Sequence, residues 1–281
     1  MSDKYRPQSF QILPPVIKNL LIINGIFFLA TISFSSAFKI DLTDILGLHY
    51  PTSEKFRVWQ FLTYMFMHGS FSHIFFNMFA LWMFGAPVEN YWGGKKLLQF
   101  YIFCGIGAAV THYSIFYFES QSALSVVDSY ISKPDISNFE NIFKALPKIP
   151  FSENMLSLAD KYNALELQRN INDMKDVSLS FMHEYRTAYL NAPVIVGASG
   201  AVFGILLAFG MMFPNSMIYI YFFLPMKAKY FVILYGAIEF ISGIWENPND
   251  NVAHFAHIGG MFFGLILILF WKNRRKKNLF S

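Results

Sequence analysis

The sequence predicts an all-α membrane protein: a bundle of six transmembrane helices with a long extracytoplasmic loop between the third and the fourth. Three observations predict it. Hydrophobic residues make up 54% of the 281 and charged residues only 14%, against roughly 25% charged in an ordinary soluble domain. One soluble core of this size cannot hide that much apolar surface. The apolar residues gather in six segments, each near the ~20 residues that ~30 Å of hydrocarbon requires. Finally, Lys and Arg flank those segments in a pattern that puts them all on one side of a six-span plan, as cytoplasmic flanks require.

In chain order, a short polar N-terminus, 1–15, precedes the first segment, Val16 to Phe38. No small-residue cleavage site closes that segment, so it reads as a retained signal anchor. The second segment, Phe61 to Val88, is longer than a span needs and carries His68, His73 and Asn77. The third runs from Leu97 to Phe118 and holds the single cysteine, Cys104, which reads as a packing residue. The fourth, fifth and sixth are Val194 to Phe213, Ala228 to Trp245 and Val252 to Trp271. A further run, Met217 to Leu224, is too short to span and is expected at the interface or in the loop before the fifth helix. Lys4, Arg6, Lys95, Lys96, Lys227, Lys229 and the tail at 272–281 all fall on one face of this plan, which makes both termini cytoplasmic. The run Lys272-Asn273-Arg274-Arg275-Lys276-Lys277 marks the cytoplasmic end of a span, and no nucleic-acid partner is expected. The loops 39–60, 119–190 and 246–251 then lie on the opposite face.

The insertion at 119–190 holds most of the acidic residues. In its second half Met155, Leu158, Ala159, Tyr162, Leu165 and Leu167 recur at helical spacing. Ser152 followed by Glu153 is a plausible helix start. One or two amphipathic helices on the outer surface are expected, with a partly disordered insertion as the alternative.

Polar residues inside spans are functional candidates by default, because the membrane makes them expensive. His73 and Asn77, four apart, share one face of the second helix. Ser199 stands at the start of the fourth, and His254 and His257 at the start of the sixth. Small residues let helix backbones approach. Gly200 and Gly204 on the fourth helix, and Ala256, Gly260 and Gly264 on the sixth, are spaced to pack row against row and carry Ser199 to His257. A serine needs an adjacent base to be a nucleophile, a histidine has a suitable pKa, and acyl transfer needs donors where the oxyanion develops. His73, the Asn77 amide and the Ser199 backbone N–H could be those donors. No acidic residue is expected near either partner in the spans, which suggests a Ser–His dyad rather than a triad with Asp. Taken singly, Ser199 reads as a packing residue, His73 and Asn77 as interhelical glue, and His254 with His257 as a metal pair. HExxH is absent, however, and so is the GxSxG elbow.

These motifs resemble the rhomboid family of intramembrane serine proteases. His68-Gly69-Ser70-Phe71-Ser72-His73-Ile74-Phe75-Phe76-Asn77 is similar to its histidine–asparagine signature. Gly197-Ala198-Ser199-Gly200 is similar to its GxSG, and Ala256-His257-Ile258-Gly259-Gly260-Met261-Phe262-Phe263-Gly264 to its AHxxGxxxG. Gly85, Glu89 and Gly93 look like a family packing feature. The resemblance implies Ser199 as nucleophile, His257 as general base, and His73 and Asn77 as oxyanion donors. His68, Gly197, Gly200, His254, Gly260 and Gly264 would be structural residues near the site. It implies transmembrane substrates cleaved near the outer face of the lipid bilayer, and no metal or other cofactor. A bacterial cytoplasmic membrane is expected. Two other readings are a catalytically silent rhomboid-like protein that binds membrane clients, and a transporter. The transporter predicts more ionisable residues in the inner halves of the spans than Glu239.

Overall fold

The computed structural model describes residues 10–220, 224–245 and 252–277. Lys4, Arg6, the loop at 246–251 and the last four residues of the basic tail lie outside the described residues. The chain is mainly helical and divides into two compact units. One takes the described residues of Met1–Leu48, Val58–His112 and Ile195–Ser281, and the other takes His49–Arg57 and Tyr113–Val194.

In the first unit α1 (Pro15–Phe38) opens with proline at its first position, where the missing N–H would have had no helical partner. The next two free N–H groups, on Val16 and Ile17, donate to Glu89 Oε1 and Oε2 at 2.9 and 2.8 Å. Two short helices follow, α2 (Leu42–Leu46), capped by Asp41, and α3 (Gln60–Thr63), with the two-residue strand β1 (Leu48–His49) between them. The apolar run expected as one helix over Phe61 to Val88 is broken: α3 and a 3₁₀ turn, Tyr64–Phe66, precede an extended Met67, and α4 (Phe71–Trp92) starts only after Gly69. Ser70 sets the boundary, because its side chain accepts from the His73 N–H and caps α4. His68 therefore lies ahead of the helix rather than on it.

The long helix α5 (Gly94–Ser132) passes the expected end of the third segment by fourteen residues, Phe118 to Ser132. After the insertion comes strand β2 (Val194–Ile195), then α9 (Ser199–Met212), α10 (Ala228–Ile244) and α11 (His254–Lys277). The short apolar run before the fifth segment proves to be part of an antiparallel hairpin, β3 (Met217–Ile220) with β4 (Leu224–Lys227). Among the described residues four helices are long and apolar enough to cross a membrane: Pro15–Phe38, Phe71–Trp92, Gly94–Ser132 and His254–Arg274. The apolar helix α9 is shorter, at 14 residues. Ile22, Ile26 and Leu29 of α1 and Phe75, Phe76 and Phe79 of α4 are exposed, an apolar surface suited to lipid rather than water.

The second unit has its own core. It contains the later part of α5, α6 (Phe139–Ala145), α7 (Glu153–Leu167) and α8 (Ile171–Asn191). Val127, Tyr130, Phe139, Met155, Tyr162, Phe181 and Tyr185 cluster inside it. Ser152 caps α7 by accepting from the Met155 N–H at 3.1 Å, as its position next to Glu153 suggests. The Tyr130 and Ser178 hydroxyls bond at 2.6 Å, and Tyr185 donates to the Pro147 carbonyl at 2.7 Å. The helices of this insertion thus pack on one another around a shared core.

Candidate active site

The first unit gathers the polar residues singled out in the spans, and small residues are what bring them together. Helix α9 packs against α11 and against α4. A Cβ on Gly260 would strike the backbone carbonyl of Gly200. A Cβ on Gly200 would lie 3.4 Å from the Ala256 carbonyl, and one on Gly264 would lie 3.5 Å from Gly204 Cα and 3.2 Å from Cys104 Sγ. The two glycine rows therefore face each other with no room for side chains, and Cys104 packs at their contact.

Ser199 is the first residue of α9, after a tight turn. Gly197 has φ +120, a conformation that a side chain would strain, and its N–H donates to the Tyr64 carbonyl at 2.9 Å. A Cβ there would lie 2.8 Å from both Cε1 and Nε2 of His73 and 3.6 Å from Ser199 Oγ. The glycine thus leaves space into which the His73 ring closes beside the serine. On α4, one turn below, Asn77 is buried and donates to the His73 carbonyl at 3.1 Å. The His68 ring is also buried and stands edge-on to His73, with centroids 5.0 Å apart.

His257 comes from α11. Its ring stacks on Phe203 at 4.2 Å and 8°. Phe203 lies one turn after Ser199 on the same face of α9. Phe203 stacks in turn on Tyr235 of α10 at 5.4 Å, so an aromatic column fixes the imidazole plane. The structure thus brings Ser199, His73, Asn77 and His257 to one region where α4, α9 and α11 meet.

The carboxylate of Glu239 overturns the expectation that no acidic residue lies near either partner. Its Oε2 accepts from His257 Nδ1 at 2.8 Å and from His254 Nδ1 at 2.6 Å. A Cβ on Gly243 would lie 3.2 Å from the Phe255 ring, and one on Gly236 would lie 3.3 Å from Met261. This antiparallel register brings position 239 level with 257. The sequence did carry a signal: one carboxylate inside an apolar helix, flanked by Gly236, Ala237, Ser242 and Gly243. The default rule for intramembrane charges applied to it as much as to the histidines. The three side chains offer ligand atoms within 4.8 Å of one another. However, ligands of one tetrahedral zinc at ~2.0–2.1 Å would stand farther apart than the 2.6 and 2.8 Å seen here. As placed, the cluster is a hydrogen-bonded one.

Comparison with known proteins adds a second line. A sequence model of the Rhomboid domain matches residues 55–126 and 177–274, skipping the middle of the insertion. An uncharacterized mitochondrial rhomboid protein of Schizosaccharomyces pombe is 26% identical over 233 residues, covering 78% of this chain and 53% of the yeast protein. Rhomboid protease GlpG of Salmonella newport is 40% identical over 60 residues, covering 21% of this chain and 22% of that enzyme. The chain thus spans about half the length of the first relative and about a fifth of the second.

Proposed function

The chain belongs to the rhomboid family, and on that premise we propose that it is an intramembrane serine endopeptidase that cleaves transmembrane segments of single-span membrane proteins. The observation that carries this reading is the face of α9. Ser199 and Phe203 lie one turn apart on it, and the His257 ring lies on Phe203. Ser199 Oγ is the nucleophile and His257 Nε2 takes its proton as the bond to the scissile carbonyl forms. The oxyanion is held by His73, by the Asn77 amide and by the Ser199 N–H. That N–H belongs to the first turn of α9 and so has no helical partner. His257 then returns the proton to the leaving amine, and water, entering from the aqueous face, completes deacylation. A small residue before the cleaved bond fits beside a serine crowded by the His73 ring.

The rhomboid domain and its apolar helices make this an integral membrane protein. We place six spans in it, counting α9 and α10 with the four longer helices. At about 21 Å, α9 is shorter than the ~30 Å hydrocarbon core. A serine at its first residue then sits below the membrane surface, where a substrate helix must unwind to reach it. Cleavage falls near the outer face, with both termini cytoplasmic and the insertion extracytoplasmic, in a bacterial cytoplasmic membrane.

The test is cleavage of a model single-span substrate in liposomes. Native protein is expected to cut it, while Ser199→Ala and His257→Ala are expected to lose cleavage. Cleavage surviving in both variants contradicts the reading.

A further inference from the structure

We propose that Glu239 is a positioning residue for His257, making the hydrolytic machinery a Ser199–His257–Glu239 triad rather than a dyad; this rests on the reading of His257 as the base. An ionised carboxylate only accepts hydrogen bonds. The 2.8 Å contact therefore requires His257 to carry its proton on Nδ1. That leaves the Nε2 lone pair as the basic site, the atom that must take the serine proton. A histidine with a free ring could place its proton on either nitrogen, and only one of the two tautomers is productive.

The rest of the arrangement supports this role. Phe203 fixes the plane of the ring by stacking, while Glu239 fixes its rotation about the axis that stacking leaves free. His254 donates to the same oxygen at 2.6 Å and so pins the carboxylate. Neither imidazole needs an extra proton, since each gives one N–H to Oε2. When Nε2 takes the serine proton, the imidazolium gains a carboxylate partner. The proton then moves on to the leaving amine, and Glu239 stays ionised throughout. His73 of α4 and His112 of α5 also interact electrostatically with His257, and an imidazole is neutral or cationic, never an anion here. Among the described residues facing His257, the compensating negative charge comes from Glu239.

The test compares native protein, Glu239→Gln and Glu239→Asp in the liposome assay, with turnover and KM measured separately. Gln keeps the shape and removes the charge. Its kcat is expected to fall on the order of 100-fold with KM changed by less than about threefold, the pattern of an interaction strengthened only during the chemical step. Asp keeps the charge on a shorter arm and is expected to recover roughly tenfold over Gln. If Gln turns over within about twofold of native, or if Asp and Gln lose activity equally, the inference is overturned. Nitrogen NMR of labelled histidine in the native protein covers the case in which Gln fails to fold. The inference requires His257 protonated on Nδ1 at neutral pH, and finding it protonated on Nε2 overturns it. Ser199→Ala separates the two levels. If that variant is inactive while Glu239→Gln is fully active, only the positioning role fails. If Ser199→Ala still cleaves, the nucleophile reading itself fails.

Discussion

Glu89 and Glu239 are both buried, 5% and 7% exposed, and both accept two hydrogen bonds, yet their partners differ in kind. Glu89, near the end of α4, receives the Val16 and Ile17 backbone N–H groups at the start of α1. Those donors never change protonation, and the helix end gives them partial positive charge. Gly85 and Gly94 make the close approach possible, since a Cβ on either would run into Ile17 or Val16. Glu239 receives two imidazoles, one of them on the face that carries Ser199. A buried carboxylate bonded to backbone donors holds two helices together. One bonded to a titratable ring can also govern a proton. The partner of a buried charge says more about its task than the charge itself.

Exchanging each carboxylate for its amide breaks this comparison most directly. Glu239→Gln is expected to lose turnover on the order of 100-fold while unfolding near the native temperature. Glu89→Gln is expected to show the reverse, with turnover per folded molecule within about twofold and stability lower by about 1–3 kcal/mol, because an amide offers one acceptor to two N–H groups. Detergent-solubilised thermal melts and normalised turnover read both, and parallel losses in the two variants would erase the distinction.

A smaller effect is expected at Gly197, where a methyl group meets both a φ of +120 and the His73 ring. Gly197→Ala should lower kcat on the order of tenfold by shifting the donor and the nucleophile apart. Smaller again is the contrast along the glycine row. Gly260→Ala drives a methyl into the Gly200 backbone, whereas at Gly264 the nearest atoms stand 3.0 to 3.5 Å away. The first is expected to destabilise by about 1–3 kcal/mol and the second by less than about 1 kcal/mol, read as melting temperatures. Equal shifts would show that the rows do not pack as described.

The smallest expected effect lies in the insertion. Burial pushes the Tyr185 hydroxyl up to about 12. A neutral Tyr185 therefore stabilises the folded insertion fully below its ordinary value of about 10, and that contribution disappears as pH rises toward 12. Proteolytic nicking within 120–190 should increase across that window, and Tyr185→Phe should flatten the increase.

The sequence made some of this legible and left the rest hidden, for physical reasons. Ser199, His257, His73 and Asn77 lie in short motifs whose local spacing puts them on helix starts and single faces, and the glycine rows announced their own packing. The Ser152 cap was equally local. In the sequence Glu239 is an isolated charge, because its contacts depend on the register between α10 and α11. Its partners lie 15 and 18 residues away on another helix. No spacing rule within one helix reaches that far. The apolar run around His68 predicts a helix there, while the Ser70 cap starts α4 beyond it. The folded core of the insertion depends on contacts such as Tyr130 with Ser178, 48 residues apart, and helical periodicity cannot show these.

Everything proposed for the site turns on Ser199 being a nucleophile activated by His257. The most direct measurement is labelling by a fluorophosphonate, which reacts only with an activated hydroxyl, followed by mapping of the modified residue. One adduct is expected, on Ser199, lost in Ser199→Ala and strongly slowed in His257→Ala. An adduct mapped elsewhere, or labelling of Ser199 at the native rate without His257, would contradict it.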